Sequence, residues 1–220
     1  MSTRRDVEEF YTRRYTHPPG SMRDYRTYLR TVGARTGGRL LDIGCGEGFL
    51  LRDAEQVGLD PFGVEIAPNA VALARARTPS AGLARAAGEA LPFRDAAFDV
   101  VMCLGSLEHF LDPAVGISEV ARVLRPDGVA LLVVPNADFI VWRLRGSGGT
   151  EQQEAQELLL DLTGWRMLIE RRGLRVARVE KEPWHTKPAG FWTRTLRTVA
   201  RAVIPLRWTY QFSFVCRRAT

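Results

Sequence analysis

Lysine is nearly absent from this 220-residue chain: of its 31 basic residues all but Lys181 and Lys187 are arginine. The net charge of +6 therefore sits in an arginine- and alanine-rich composition that by itself selects no nucleic-acid partner, and none is expected. Placement says more than the total, because positive charge gathers from Trp184 to the C-terminus. Cysteine is scarce too. Cys45, Cys103 and Cys216 are odd in number, far apart and without ligand spacing, which excludes a disulfide framework and a cysteine-based zinc site, and no metal is expected. The first residues lack the apolar core of a signal peptide, and no apolar run reaches the length of a membrane span. These absences point to a cytoplasmic protein with free thiols. No repeat or low-complexity tract divides the chain, so 1–220 reads as one domain, and 45% hydrophobic residues suffice for one good core.

What is there begins at Leu40-Leu41-Asp42-Ile43-Gly44-Cys45-Gly46-Glu47-Gly48. An apolar run that stops at alternating glycines and resumes at Phe49-Leu50-Leu51 predicts a buried strand, a tight turn and a helix start. Such glycines let a ligand approach the main chain beside the unpaired N–H groups of a helix N-terminus. The spacing is G-x-G-x-G, so the dinucleotide fingerprint G-x-G-x-x-G is not met and a nicotinamide oxidoreductase is disfavoured. Downstream, Pro61 to Ile66 reads as a second strand ending in Glu65, about where open α/β sheets place the carboxylate that accepts from ribose hydroxyls.

The rest alternates in the same way. Helices are predicted from Phe49 to Gly58, from Pro68 to Arg77 and from Asp112-Pro113 to Leu124, with strands near Leu83–Arg85, at Phe98–Leu104 and at Val129–Val134. Pro135 to Thr150 reads as a loop. Thr163 is the expected N-cap of a helix reaching Arg172, followed by strands at Leu174–Val179 and Tyr210–Cys216. At the N-terminus a helix should be broken by His17-Pro18-Pro19-Gly20 and a second should run from about Met22 to Gly33. Strands alternating with helices require a mostly parallel sheet with helices on both faces.

Taken in order, the glycine turn, Glu89-Ala90-Leu91-Pro92-Phe93, Phe98-Asp99-Val100-Val101 and Arg122-Val123-Leu124-Arg125-Pro126-Asp127-Gly128 resemble the class I S-adenosylmethionine-dependent methyltransferases, over roughly Gly38 to Gly173. The resemblance implies a Rossmann-like α/β sheet of seven strands in the order 3-2-1-4-5-7-6, the last two antiparallel, with residues 1–36 as lid helices. It implies S-adenosyl-L-methionine as cofactor and S-adenosyl-L-homocysteine as product. On this reading Asp42 lies under the turn, Gly44, Cys45 and Gly46 face the methionyl group, and Glu65 takes the ribose. Ile66 packs on adenine, and the Leu104 carbonyl accepts from the cofactor's amino group. Tyr15 and Arg23 are the expected lid contacts. Two positions depart from the family pattern. Ala87 stands where an adenine-binding aspartate is common, leaving Glu89 or the Ala90 N–H to take that role, and Asp127 replaces a turn glycine, where it can adopt left-handed backbone.

His109 follows the fourth strand and is the candidate general base, with packing beside the cofactor as the alternative. A sulfonium methyl is already activated, so alignment alone could suffice. Residues 184–208 form an insertion between the last two strands. Trp184, His185 and Trp192 could wall the acceptor, and a 190–205 amphipathic helix could touch a membrane surface. The expected activity is methyl transfer to oxygen or nitrogen of a small molecule in specialised-metabolite or sugar biosynthesis. The alternatives are a lipid or lipid-linked glycan acceptor at the membrane surface and a non-catalytic binding module that keeps the cofactor fold.

Overall fold

The computed structural model describes residues 3–15, 25–145, 157–182 and 203–219, with no side-chain description for 143–145. Arg23, Trp184, His185 and Trp192, and most of the expected 184–208 insertion and 190–205 helix, lie outside the described residues.

The sheet grows outward from β1 (Arg39–Ile43), whose Leu40, Leu41 and Ile43 are at most 1% exposed. A strand apolar on both faces suits the middle of a parallel sheet covered on both sides. β2 (Asp60–Glu65) and β4 (Phe98–Leu104) flank it in parallel, β3 (Gly82–Arg85) lies beyond β2, and β5 (Leu124–Pro135) beyond β4. β7 (Gln211–Arg218) then pairs antiparallel with both β5 and β6 (Leu174–Lys181). The order is β3-β2-β1-β4-β5-β7-β6, as the family resemblance implied. Apolar residues collect in two layers, one on each face of the sheet.

The helices start and stop for local reasons. α3 (Phe49–Gln56) begins at Gly48, which is left-handed, and buries Leu50, Leu51 and Ala54; Gly58, at φ +80°, turns the chain out of it. α4 (Pro68–Arg77) has proline in its first turn, where no N–H is required. α5 (Pro113–Val123) is capped by Asp112, whose carboxylate accepts from the N–H groups of Ala114 and Val115 at 2.9 and 3.2 Å. Two helices precede the sheet. In α1 (Arg4–Arg14), Thr3 and Asp6 complete a capping box, and α2 is described as Tyr25–Thr31.

Four local expectations need correction. β5 starts at Leu124, five residues early, because Leu124 pairs with Phe98 before the register jumps to Val100 opposite Val129. Asp127 is not left-handed; among the described residues Ala96 is the sole non-glycine with positive φ. The Pro135–Thr150 stretch contains a short helix, α6 (Ile140–Arg145). α7 (Leu162–Glu170) is capped by Asp161, which accepts from the Gly164 N–H at 2.7 Å, rather than by Thr163. No helix among the described residues is long and apolar enough to cross a membrane.

Candidate active site

The glycine turn is made by left-handed backbone at three alternate positions, Gly44, Gly46 and Gly48, with φ of +73°, +51° and +78°. Side chains are excluded there for steric reasons as well. A Cβ on Gly44 would strike the Ser106 side chain, one on Gly46 would lie 2.8 Å from the Tyr15 hydroxyl, and one on Gly48 would lie 3.0 Å from Ala74. The turn is pinned to the end of β2, because the N–H groups of Gly44 and Cys45 both donate to the Val64 carbonyl, at 2.8 and 3.0 Å.

Glu65 closes this junction. One carboxylate oxygen accepts from the Gly46 N–H at 3.0 Å, and the other accepts from Ile66 and Ala67 at 2.8 and 3.0 Å. Burial raises its pKa and outweighs the three N–H donors, which pull the other way. Three donors leave one acceptor position on a carboxylate, enough for a ligand hydroxyl.

A cavity of about 470 Å³ opens above the turn. Gly44, Cys45, Gly46, Glu65, Leu104 and His109 line it, and Tyr11 of α1 and Tyr15 at that helix's C-cap cover it as a roof. Ile66, Ala87 and Phe110 add apolar surface, and Glu89 also reaches the lining. α1 is fastened over this cavity by the Asn69 amide, which donates to the Thr12 carbonyl at 2.6 Å, and by an ion pair between Glu8 and Arg85. Burial pushes the Tyr11 and Tyr15 hydroxyls well above the ordinary phenol range, with the charge of Glu108 adding at Tyr11 and that of Glu65 at Tyr15. Both stay neutral donors. The Cys45 thiol is likewise held protonated, chiefly by burial and then by Asp42 and Glu65.

The structure therefore brings Tyr15, Gly44, Cys45, Gly46, Glu65, Ile66, Glu89, Leu104 and His109 to one cavity. Two expected residues stand apart. Asp42 is buried under the turn and outside the lining. Ala90 is exposed, and its N–H already donates to the Ala87 carbonyl at 3.1 Å, so the tight 87–90 turn removes the donor expected to reach adenine. The Glu89 carboxylate accepts from the Leu111 N–H at 2.8 Å and so joins two loops at the cavity's edge. Tyr11, Ser106 and Phe110 line the site without having been singled out. Tyr11 lies one helical turn before Tyr15, and that i, i+4 spacing is the signal that could have found it.

His109 ends a 3-10 turn (Leu107–His109) and is 5% exposed. Its Nε2 lies 4.0 Å from the Glu108 carboxylate, and the Tyr11 ring stands edge-on at 6.2 Å. Among the described residues, one group could hold a cation: Glu108, His109 and Glu157, whose ligand atoms fall within 4.8 Å of one another. The same carboxylates would compensate an imidazole that has accepted a proton.

Comparison with known proteins agrees with this geometry. A family model described as a methyltransferase domain matches residues 41–132. A Mycolicibacterium smegmatis protein named as a probable S-adenosylmethionine-dependent methyltransferase is 36% identical over 116 residues, 52% of this chain but only 45% of its relative's length. The ubiquinone biosynthesis O-methyltransferase of Xylella fastidiosa is 27% identical over 172 residues, covering 69% of this chain and 68% of that protein. In fold alone, an S-adenosylmethionine-dependent methyltransferase from Mesorhizobium loti superimposes with a TM-score of 0.66 at 19% identity, over 90% of this chain and 99% of that one. Turn, carboxylate and strand order agree with these matches: residues 41–132 fit a methyltransferase domain, and the chain is similar to S-adenosylmethionine-dependent methyltransferases over about half the length of the first of these relatives.

Proposed function

We propose that this protein transfers a methyl group from S-adenosylmethionine to an oxygen or nitrogen of a small-molecule acceptor in a biosynthetic pathway. The observation that carries the reading is one cavity shared by the left-handed glycine turn, the backbone-held Glu65 carboxylate and His109 under a roof of tyrosines. The residues fit the cofactor. Gly44 and Gly46 present bare backbone to the cavity, Glu65 keeps one acceptor position for a ribose hydroxyl, and Ile66, Ala87 and Phe110 offer apolar surface to a flat ring. When bound, the cofactor supplies an activated sulfonium methyl, and the protein has to align a nucleophile with it and keep water out.

The chain's own residues divide that work. Tyr11 and Tyr15 cover the cavity as neutral side chains and shed water from it. The turn from Leu104 to His109 leaves the carboxyl end of β4, where ligands of open α/β sheets collect. There His109 accepts the proton released as a hydroxyl or ammonium acceptor becomes a nucleophile, and Glu108 and Glu157 balance the resulting charge. The ubiquinone-pathway relative is an O-methyltransferase by name, which favours oxygen over nitrogen as the acceptor atom here. Calorimetric titration tests the cofactor half. S-adenosylmethionine and S-adenosylhomocysteine should both bind at one site per chain while NAD stays silent. Binding of NAD alone, or of none of the three, would refute the reading.

A further inference from the structure

The glycine turn is held from behind as well as from β2, and the grip comes from one side chain. Arg77, on the last turn of α4, donates from Nε to the main-chain carbonyl of Glu47 at 2.8 Å and from Nη2 to the Glu47 carboxylate at 3.0 Å. Its guanidinium lies 3.7 Å from the centre of the Phe49 ring. Three consecutive residues, the last two of the turn and the first of α3, thus rest on α4: Glu47 through Arg77, Gly48 through its close approach to Ala74, and Phe49 through the guanidinium. The Glu47 side chain is 3% exposed, and Arg77 is its ion-pair partner among the described residues. A carboxylate so deeply buried exists in this place because a cation meets it there.

The other end of α4 holds the other cofactor-facing groups. The N–H groups of Ile66 and Ala67, just ahead of the helix, donate to Glu65, and Asn69 in its first turn carries the roof helix α1. A single rigid helix therefore sets the spacing between the ribose carboxylate, the roof and the glycine turn. Arg77 is the point at which that spacing reaches the turn.

We propose that Arg77 is a positioning residue for cofactor binding, fixing the methionyl side of the site through Glu47 without touching the ligand. The proposal rests on the reading of the cavity as an S-adenosylmethionine site. It also predicts where the effect of losing Arg77 is felt. The nucleoside end is held by Glu65, Ile66 and the β3–β4 loop and keeps its geometry; the amino-acid end lies on the turn and loses it.

The experiment is calorimetric titration of wild type, Arg77→Lys, Arg77→Met and the double variant Glu47→Met/Arg77→Met with two probes, S-adenosylhomocysteine and adenosine. Arg77→Lys restores charge but not the two-point fork. The double variant removes the buried charges together, a change the fold tolerates far better than an orphaned carboxylate, so it keeps the test open if Arg77→Met does not fold. The expected result is a loss of about 10- to 100-fold in S-adenosylhomocysteine affinity in Arg77→Met and in the double variant, the scale seen when an outer partner that orients binding groups is removed. Arg77→Lys should fall between these and wild type, and adenosine affinity should stay within about twofold throughout. Unchanged S-adenosylhomocysteine affinity in either folded variant, or equal loss for both probes, overturns the proposal. If wild type itself fails to bind S-adenosylhomocysteine, it is the functional reading that falls, and the proposal with it.

Discussion

Replacing Glu65 by glutamine tests the centre of the site, because it keeps shape and size while changing what the two side-chain oxygens can do. The carboxylate accepts three backbone N–H bonds, two at one oxygen and one at the other. In its better orientation the glutamine carbonyl serves Ile66 and Ala67, which sets its NH₂ against the Gly46 N–H across the 3.0 Å now spanned by a hydrogen bond. That loss costs about 1–3 kcal/mol of folding stability, but an amide also escapes the penalty of burying a charge, which raises the Glu65 pKa. The two effects oppose, and the melting temperature should move by no more than about 4 °C, the equivalent of about 1 kcal/mol in a chain of this size. Cofactor binding has no such offset. A ribose hydroxyl that donates to a carboxylate gains about 1.5–3 kcal/mol, so S-adenosylhomocysteine affinity should fall about 10- to 100-fold by calorimetry. The pH dependence has a definite sign. The folded pKa lies above the ordinary 4.5, so between those two values the native state holds a proton that the unfolded chain has lost. The stability from this group is therefore fully present below 4.5 and is lost as pH rises through the folded value. Affinity runs the other way, since the ionised acceptor binds better, and should weaken as wild type is acidified through the same window. Glu65→Gln should flatten that part of the affinity profile. An affinity within twofold of wild type, or an unaltered acid limb in the variant, would refute the ribose-acceptor assignment.

His109→Gln should leave S-adenosylhomocysteine affinity within about twofold while turnover of any acceptor hydroxyl falls at least about 100-fold, the usual scale of general-base catalysis; full turnover would return His109 to a packing role. Asn69→Ala removes the bond that ties α1 to α4 at Thr12, so amide exchange across Arg4–Arg14 should quicken about fivefold, the equivalent of about 1 kcal/mol, with the β1 and β4 amides unchanged. Equal exchange in α1 before and after the change would show that the roof is held by packing instead.

How far the sequence foretold this structure depended on whether the information was local. β4 begins and ends at Phe98 and Leu104 as expected, because an apolar run interrupted once by Asp99 and closed by Gly105 has few other readings. The glycine turn was legible for a similar reason: only a backbone in left-handed conformation needs glycine at alternate positions, and all three adopt it. Misreadings came where a local signal met a tertiary one. Arg125-Pro126-Asp127-Gly128 has the composition of a turn, yet Leu124 pairs with Phe98 and draws the strand back across it. The motif offers the Ala90 N–H as one alternative to Glu89 for adenine, and the hydrogen bond that closes the 87–90 turn takes that N–H. Thr163 and Asp161 are both good caps, and choosing between them needed the bond to Gly164.

What could not be read at all was the pairing of residues distant in sequence, and this separates the two halves of the site. Glu47 and Arg77 are 30 residues apart, and neither carries a pattern that announces the other. Glu157 reaches the Glu108–His109 turn because the Leu158 N–H donates to the Glu108 carbonyl at 2.8 Å, a contact no spacing rule contains. The cofactor side is built on one turn, one strand end and one helix that follow each other between Leu40 and Arg77, so local chemistry and tertiary position coincide there. Beyond β5 the chain is joined by long-range contacts instead: Asn136 donates to the carbonyls of Arg207 and Thr209 at 2.9 and 2.7 Å and bridges to Leu160, and under the proposed function it is from such separated stretches that an acceptor side would be gathered. A site assembled from that many separated stretches can change its acceptor by changing any one of them while the cofactor half stays intact. On the proposed function, that asymmetry is why the sequence points to a methyl donor and not to an acceptor.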